Sequence, residues 1–442
     1  MKGYSADAPG VSAAEEPFMR FRWKPLVLSL AVLAILVGVI FFANGSVQQV
    51  FAPLRGKDAG EDVRMPVTYD SMRLLEFKAD ADHVRPIGRT YNARGACWFS
   101  FSGCGVEFRC NGTSLSLTML VENGDALEEQ HKPRIAVFVN DEMVVDTVLE
   151  DVRQTIAVPF YAFEKEAVVR VIKLSESMYS CVGISDIRLY GSMDILPTER
   201  TKQVIEFIGD SITAGFGVDH EKRKGEFSTR TENYCKTYAY LAAEALGAEG
   251  YGIAYSGFGV VSGWTSTGKI NDVNVLAKQY TKALDGLLVG GATPQWYFEA
   301  PLPDLIVINL GTNDHTYCTT KARCKEFEKA YKELLELVRR KNPGVPIVCI
   351  LGDMNDTMYP HIEKAVKAFN KKDDGPKVLC TPINFNMAKL GVVLHGHPTA
   401  QSNEHAAKEL TDYLWDKITD KINTKEDLVN AIRTLISQQE KT

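Results

Sequence analysis

The sequence lacks the marks of a metal or nucleic-acid protein. It contains no CxxC pair and no HExxH motif, and its eight histidines do not flank the cysteine clusters at finger-like spacing. No metal or other cofactor is therefore expected. No long basic run follows the first thirty residues, and the net charge is −6, from 50 Lys and Arg against 56 Asp and Glu. Nucleic acid is not an expected partner of such a chain. There is no internal repeat and no long low-complexity stretch, which sets repeat architectures aside. What is present is ordinary globular composition, 45% hydrophobic and 24% charged over 442 residues. That length has room for two or three domains.

One segment is not globular. Pro25 to Ala43 runs PLVLSLAVLAILVGVIFFA without a charge, and roughly twenty apolar residues span a bilayer core. Arg20, Arg22 and Lys24 precede it, and Arg55 is the first basic residue after it. The positive-inside rule then places residues 1–24 in the cytoplasm, a single-pass transmembrane anchor at 25–43, a stalk at 44–66 and the remainder outside the cell membrane. The rival reading is a signal peptide cleaved near Ala43-Asn44-Gly45, with a secreted product. Nine cysteines suit an exported chain, where disulfides persist. The cluster Cys97, Cys104 and Cys110, and the pair Cys318 and Cys324, suggest local bridges. Cys349 and Cys380 lie in apolar runs and read as buried thiols.

Residues 67–195 read as all-β. Short alternating or β-branched runs are separated by turn residues, among them 96–101, 106–110, 114–121, 134–139, 143–148, 155–158, 167–174 and 184–190. Asn111-Gly112 and Asn140-Asp141 each sit between two runs and are expected to form hairpins. Such a pattern fits a β-sandwich of jelly-roll type. After Pro197 the period changes. Apolar runs at 203–209, 251–255, 305–310, 347–351 and 377–380 alternate with helical stretches at 233–246, 322–341, 361–372 and 401–421. This is an α/β pattern, a parallel sheet covered on both faces. It spans about 200–422, and residues 423–442 fit one more amphipathic helix.

In such sheets ligands gather at the carboxyl ends of the strands. Gly209-Asp210-Ser211-Ile212-Thr213, Ser256-Gly257-Phe258-Gly259 and Gly311-Thr312-Asn313-Asp314 all follow strands, and His397-Pro398-Thr399 precedes the last helix. A serine on a tight strand-to-helix turn exposes its hydroxyl, but that hydroxyl is a weak nucleophile without a base. His397 is the candidate base, with His395 as its competitor. The oxyanion of an acyl-transfer intermediate needs preorganised donors. The N–H groups of Ser211 and Gly257 and the amide of Asn313 are the candidates, with Gly259 as the alternative to Gly257. Blander roles exist for each. Ser211 is also a good helix N-cap, Asn313 a good turn residue, and Asp210 reads as structural. Trp264, Trp296 and Tyr297 are candidate substrate-binding aromatics or core residues.

These blocks, FIGDSITAGFG, YSGFG, LGTND and HPT, resemble those of the SGNH (GDSL) hydrolase superfamily over about residues 200–422. The resemblance implies a flavodoxin-like, three-layer α/β/α fold and the roles above. A β-sandwich directly before such a domain is similar to the carbohydrate esterase family 2 acetylesterases, which deacetylate xylan and mannan. The resemblance thus implies an acetylated carbohydrate as the substrate. One departure stands out. Many superfamily members carry aspartate three residues before the histidine, where this chain has Leu394. The resemblance to family 2 implies a Ser-His dyad, with a backbone carbonyl as one way to orient the imidazole. Rival functions are a lipase or thioesterase of the same superfamily, a peptidoglycan O-acetylesterase and a non-catalytic glycan-binding protein. The charged stretch 219–232 speaks against a lipid substrate, and the intact set of four blocks against the non-catalytic reading.

Overall fold

Eleven antiparallel strands come first among the described residues of a computed structural model, which are 72–419 apart from 161, 287–292 and 300. The expected tail (1–24), anchor (25–43), stalk (44–66) and final helix (423–442) lie outside the described residues. Among the described residues no helix is long and apolar enough to cross a membrane.

The antiparallel strands are β1 (Arg73–Lys78), β2 (Arg85–Ile87), β3 (Tyr91–Ala93), β4 (Ala96–Phe99), β5 (Gly105–Val121), β6 (Arg134–Val139), β7 (Glu142–Val148), β8 (Arg153–Val158), β9 (Ala162–Lys173), β10 (Val182–Gly191) and β11 (Leu196–Pro197). They run in the order β3-β4-β10-β5-β9-β6-β7, with β1 on β10 and with β2, β8 and β11 on β5. The long β5 is the spine. Its first part pairs with β9 and its second with β10 and β8.

The change of partners falls at Asn111-Gly112, where a hairpin was expected and none forms. The dipeptide stays within β5, and the register shifts there against both β9 and β10. A Cβ on Gly112 would lie 2.5 Å from the Tyr190 carbonyl oxygen. The glycine marks a close backbone approach at a bulge, the other use of glycine in strands. Asn140-Asp141 does turn the chain from β6 to β7, with φ values of 50° and 67°, as a two-residue hairpin of the primed type requires.

The second region holds five parallel strands, β12 (Val204–Gly209), β13 (Glu249–Ala254), β14 (Leu305–Asn309), β15 (Ile347–Gly352) and β16 (Leu379–Ile383), in the order β13-β12-β14-β15-β16. This is the doubly wound order with its switch point beside the first strand, β12. LIVIN and IVCILG are buried throughout, as parallel strands covered on both faces must be. The helices are α1 (Ser211–Ala214), α2 (Tyr238–Ala245), α3 (Lys321–Lys341), α4 (Tyr359–Asn370), α5 (Met387–Leu390) and α6 (Ala400–Thr419). In α3 the Thr320 hydroxyl caps the first turn, Phe327, Tyr331, Leu334, Leu335 and Val338 form the buried stripe, and Arg339, Arg340 and Lys341 fill the last turn. Cap, stripe and terminal charge agree with one another.

Helices α2 and α6 cover one sheet face. On the other face α3 and α4 share a continuous apolar core with the β domain. Two of the contacts that join the regions are made by β12 and β13. Gly252 of the edge strand β13 donates its N–H to the Ser102 carbonyl at 2.8 Å, so the β domain covers a sheet edge. Arg89, between β2 and β3, donates to the Glu206 carboxylate on β12 at 3.0 Å, and both side chains are essentially inaccessible. Tyr251 and Tyr280 donate to the same carboxylate, and Arg89 also donates to the Tyr280 and Lys282 carbonyls.

The expected disulfides are absent. None of the nine cysteines is bonded to another. Cys104 Sγ accepts the Arg89 N–H, while the thiols of Cys318 and Cys324 are directed at the carbonyls of Arg323 and Cys318. Closeness in sequence did not aim these sulfurs at one another, and bridge geometry is demanding. Removing one member of a buried ion pair strands the other charge, at a cost of about 3–5 kcal/mol. Arg89→Ala is expected to destabilise the protein by that amount in urea unfolding. A change below about 1 kcal/mol would place the pair among inconsequential ones.

Candidate active site

Strand β12 ends in Gly209, and α1 begins two residues later at Ser211. The turn is tight, since a Cβ on Gly209 would fall 2.0 Å from Thr213 Oγ1. Asp210, not Ser211, is the N-cap, its Oδ1 accepting the Ile212 N–H at 3.0 Å. That leaves the serine hydroxyl uncommitted to the helix. It donates to His397 Nε2 at 2.7 Å across 186 positions of sequence.

The orientation of His397 comes from the backbone. Its Nδ1 lies 2.9 Å from the Leu394 carbonyl oxygen. A carbonyl can only accept, so Nδ1 carries the proton and Nε2 is left to accept from the serine. The turn that supplies this carbonyl is held by Val393 N–H on the His397 carbonyl and by His397 N–H on the Leu394 carbonyl. His395, inside that turn at φ 52°, points elsewhere, with its ring Nε2 3.2 Å from the Gly225 carbonyl. Leu394, which has no side-chain acceptor to offer, therefore contributes its main-chain oxygen. Burial pushes the His397 imidazole down to about 4; the Leu394 contact opposes that shift and His395 adds to it.

Gly257 lies in the left-handed region at φ 78°, with open space where a Cβ would be. Its N–H and that of Ser211 have no acceptor among the described residues. Gly259, the alternative, donates to the Asn274 carbonyl at 3.1 Å, and a Cβ there would strike the Ser262 carbonyl at 2.0 Å. Asn313 reaches the same end of the sheet. Its amide donates to the Phe258 carbonyl at 2.8 Å and to Asp210 Oδ2 at 3.2 Å.

Trp264 is 56% exposed, and its backbone N–H donates to the Gly257 carbonyl, which sets its main chain beside this turn. Trp296 is not brought there. With Tyr297 it lines a cavity of about 280 Å³ together with Val204 and Glu249, the first residues of β12 and β13. Ser211 follows the other end of β12, a strand's length away.

Several features escaped the sequence reading. Phe216 lies against the His397 ring with centroids 4.5 Å apart, and Phe227, Tyr179 and His131 continue the aromatic run into the β domain. Asp314 is buried, and its carboxylate accepts the N–H groups of Val260, Val261 and Ser262. Burial raises that carboxyl to about 6 and that of Asp210 to about 7. Asp314 stood in a quoted block, yet nothing in spacing tells which backbone an acid will hold. The charged stretch 219–232 is drawn onto the β domain, with Asp219 paired to Arg134 and Arg230 to Glu129 and Glu150. Among the described residues no cluster of three His, Cys, Asp or Glu suited to a metal forms.

Residues 207–374 match the model of the GDSL-like lipase/acylhydrolase family. The chain is 31% identical over 260 residues to an acetylxylan esterase/glucomannan deacetylase of Cellvibrio japonicus, covering 56% of this chain and 69% of that protein. It is 29% identical over 235 residues to the cellulase/esterase CelE of Acetivibrio thermocellus, 52% of this chain. The chain spans 27% of CelE and 62% of a second Cellvibrio japonicus acetylxylan esterase/glucomannan deacetylase. Among solved structures, the acetyl xylan esterase Est2A of Butyrivibrio proteoclasticus superposes with TM-score 0.69 at 23% identity, covering 79% of this chain and 99% of that one. A family two carbohydrate esterase of Clostridium thermocellum in complex with cellohexaose gives 0.65 at 24% identity, covering 76% and 99%. At these identities the superpositions establish a common fold.

A buried imidazole with a lowered folded pKa contributes stability that is full above its unfolded value of 6.5 and is lost as pH falls to about 4. His397 is expected to stay neutral until pH nears 4 in a histidine NMR titration. A midpoint at the ordinary 6.5 would contradict the burial argument.

Proposed function

We propose, from the premise that the chain belongs to the GDSL-like lipase/acylhydrolase family, that it is a serine carboxylic ester hydrolase removing acetyl groups from carbohydrate. The observation that carries this reading is the 2.7 Å contact between Ser211 Oγ and a His397 Nε2 that is free to accept a proton. Ser211 attacks the acetyl carbonyl while His397 takes its proton. The N–H groups of Ser211 and Gly257 receive the oxyanion. Asn313 joins them by giving up its longer bond, the one to Asp210. His397 then protonates the departing sugar hydroxyl, and water repeats the sequence on the acetyl-serine. Every proton moves between protein, substrate and water, so no cofactor is called for.

Carbohydrate is favoured by the exposed Trp264 beside Gly257, a flat apolar surface for a sugar ring. It is also favoured by the matched relatives, which are named for acetylxylan and glucomannan. The β domain is read as a jelly-roll buttress, residues 67–195, and the hydrolase domain as residues 200–422. Attachment to the cell membrane through residues 25–43, with the catalytic region outside, is part of the same proposal, and rests on the uncharged run and the basic residues before it. Carbonate extraction of membranes tests it. Release at high pH would replace the anchor with a cleaved, secreted form.

Acetate release from acetylated xylan and mannan, and hydrolysis of aryl esters of increasing chain length, test the reaction. Ser211→Ala and His397→Ala are each expected to lower kcat by more than ~10³-fold while leaving Tm within a few degrees. Preference for long acyl chains would move the assignment to a lipase or thioesterase. The acid limb of kcat/KM is expected well below pH 6.5, because the base remains neutral to about 4. A limb centred near 6.5 would mean that His397 is not the base.

A further inference from the structure

The loop that joins β9 to β10, residues 174–181, leaves the β domain and enters the hydrolase region. Its Glu176 is fully buried, and Oε2 accepts the Ser256 N–H at 2.7 Å. Ser256 directly precedes Gly257. The two are the central residues of a turn closed by Phe258 N–H on the Tyr255 carbonyl at 3.2 Å, with Gly257 at φ 78°. A positive φ at the third residue is the mark of a type II turn. In that turn the direction of the Gly257 N–H is set by the rotation of the Ser256–Gly257 peptide.

We propose that Glu176 is a positioning residue for the ester hydrolysis, a carboxylate delivered by the β domain that holds Ser256 so that the Gly257 N–H faces the oxyanion. The inference rests on the esterase reading given above and deepens it. It makes the β domain a working part of the oxyanion hole.

The surroundings of Glu176 are built for this. Its N–H donates to Glu232 Oε2 at 2.9 Å, and Lys173 Nζ donates to the Ser175 and Glu176 carbonyls. Lys173, Glu176 and Glu232 are all inaccessible to solvent. Each carboxyl has one oxygen, Oε1, without a donor, and the two side chains are hydrogen-bond partners of one another once one of them carries a proton. Burial raises both carboxyls and lowers the lysine, consistent with one proton and one ammonium balancing the pair. The balance matters, because an uncompensated negative charge next to the hole would oppose the oxyanion it serves. A charge-assisted bond in a dry site is stiffer than a water in the same place.

The test uses the full chain. Kcat is measured per active site, counted by fluorophosphonate labelling of Ser211, so that an unfolded fraction does not enter. Glu176→Ala is expected to lose about 10- to 100-fold in kcat per site, the scale of a small misplacement, with KM little changed. Glu176→Gln retains an oxygen for the Ser256 N–H and is expected to restore the rate to within about fivefold. If Glu176→Ala does not fold, Glu176→Asp poses the same question, since it keeps the charge and withdraws it by one methylene. Unchanged kcat per site in Glu176→Ala or Glu176→Asp overturns the proposal, as does a Gln variant as slow as Ala. A wild-type protein that cleaves no ester overturns the esterase reading itself. An active wild type with a dead Ser211→Ala and a full-rate Glu176→Ala leaves that reading standing and removes this one.

Discussion

The structure depends on a charge carried into the interior of the molecule. Glu206 sits on β12, whose last residue leads into the serine turn, and faces the β domain. Its carboxylate is met by Arg89, Tyr251 and Tyr280. A carboxylate in such a place is tolerated when it is paired and fully hydrogen-bonded. Arg89 comes from the β domain, so the parallel sheet cannot complete its own interior without that domain. The Ser102–Gly252 contact and the common apolar core add to the same junction. The two regions fold against one another as a unit, and the loop carrying Glu176 and Tyr179 reaches the active-site end of the sheet from across that junction.

The proposed dyad of Ser211 and His397 is oriented in another way. A third carboxylate usually orients a catalytic histidine and stabilises its charged form. Here a main-chain carbonyl does the orienting. It fixes the tautomer, as a carboxylate would, but supplies a dipole in place of a charge. The imidazole is consequently harder to protonate, as its burial also requires. In the proposed reaction the proton is held only briefly, which suits a base of low pKa.

Sequence and structure differ where a residue's local signal has two uses. Asn111-Gly112 suits a bulge as well as a hairpin, and the close approach of the Tyr190 carbonyl marks the bulge. Cysteines a few residues apart suggested bridges, yet the strands and turns aimed their sulfurs at backbone groups. Trp296 and Trp264 were both candidate substrate-binding aromatics, and sit at opposite ends of the sheet. Ser211 was the plausible cap and Asp210 a structural residue, and the Ile212 N–H donates to Asp210. In each case the deciding fact is which group the folded chain brings into contact.

The sequence by itself determined the alternation of β and α/β regions, the position of every parallel strand to within a few residues, and the blocks holding Ser211, Gly257, Asn313 and His397. Those features follow from periodicity and from short motifs, which are local properties of a chain. The tertiary structure alone decided which oxygen orients His397, which glycine keeps an unpartnered N–H, and that β-domain residues stand behind the site. Such questions are settled by hydrogen bonds that reach from three positions, His397 to Leu394, to 80 positions, Ser256 to Glu176, and they have no signature until the turns and strands are folded together.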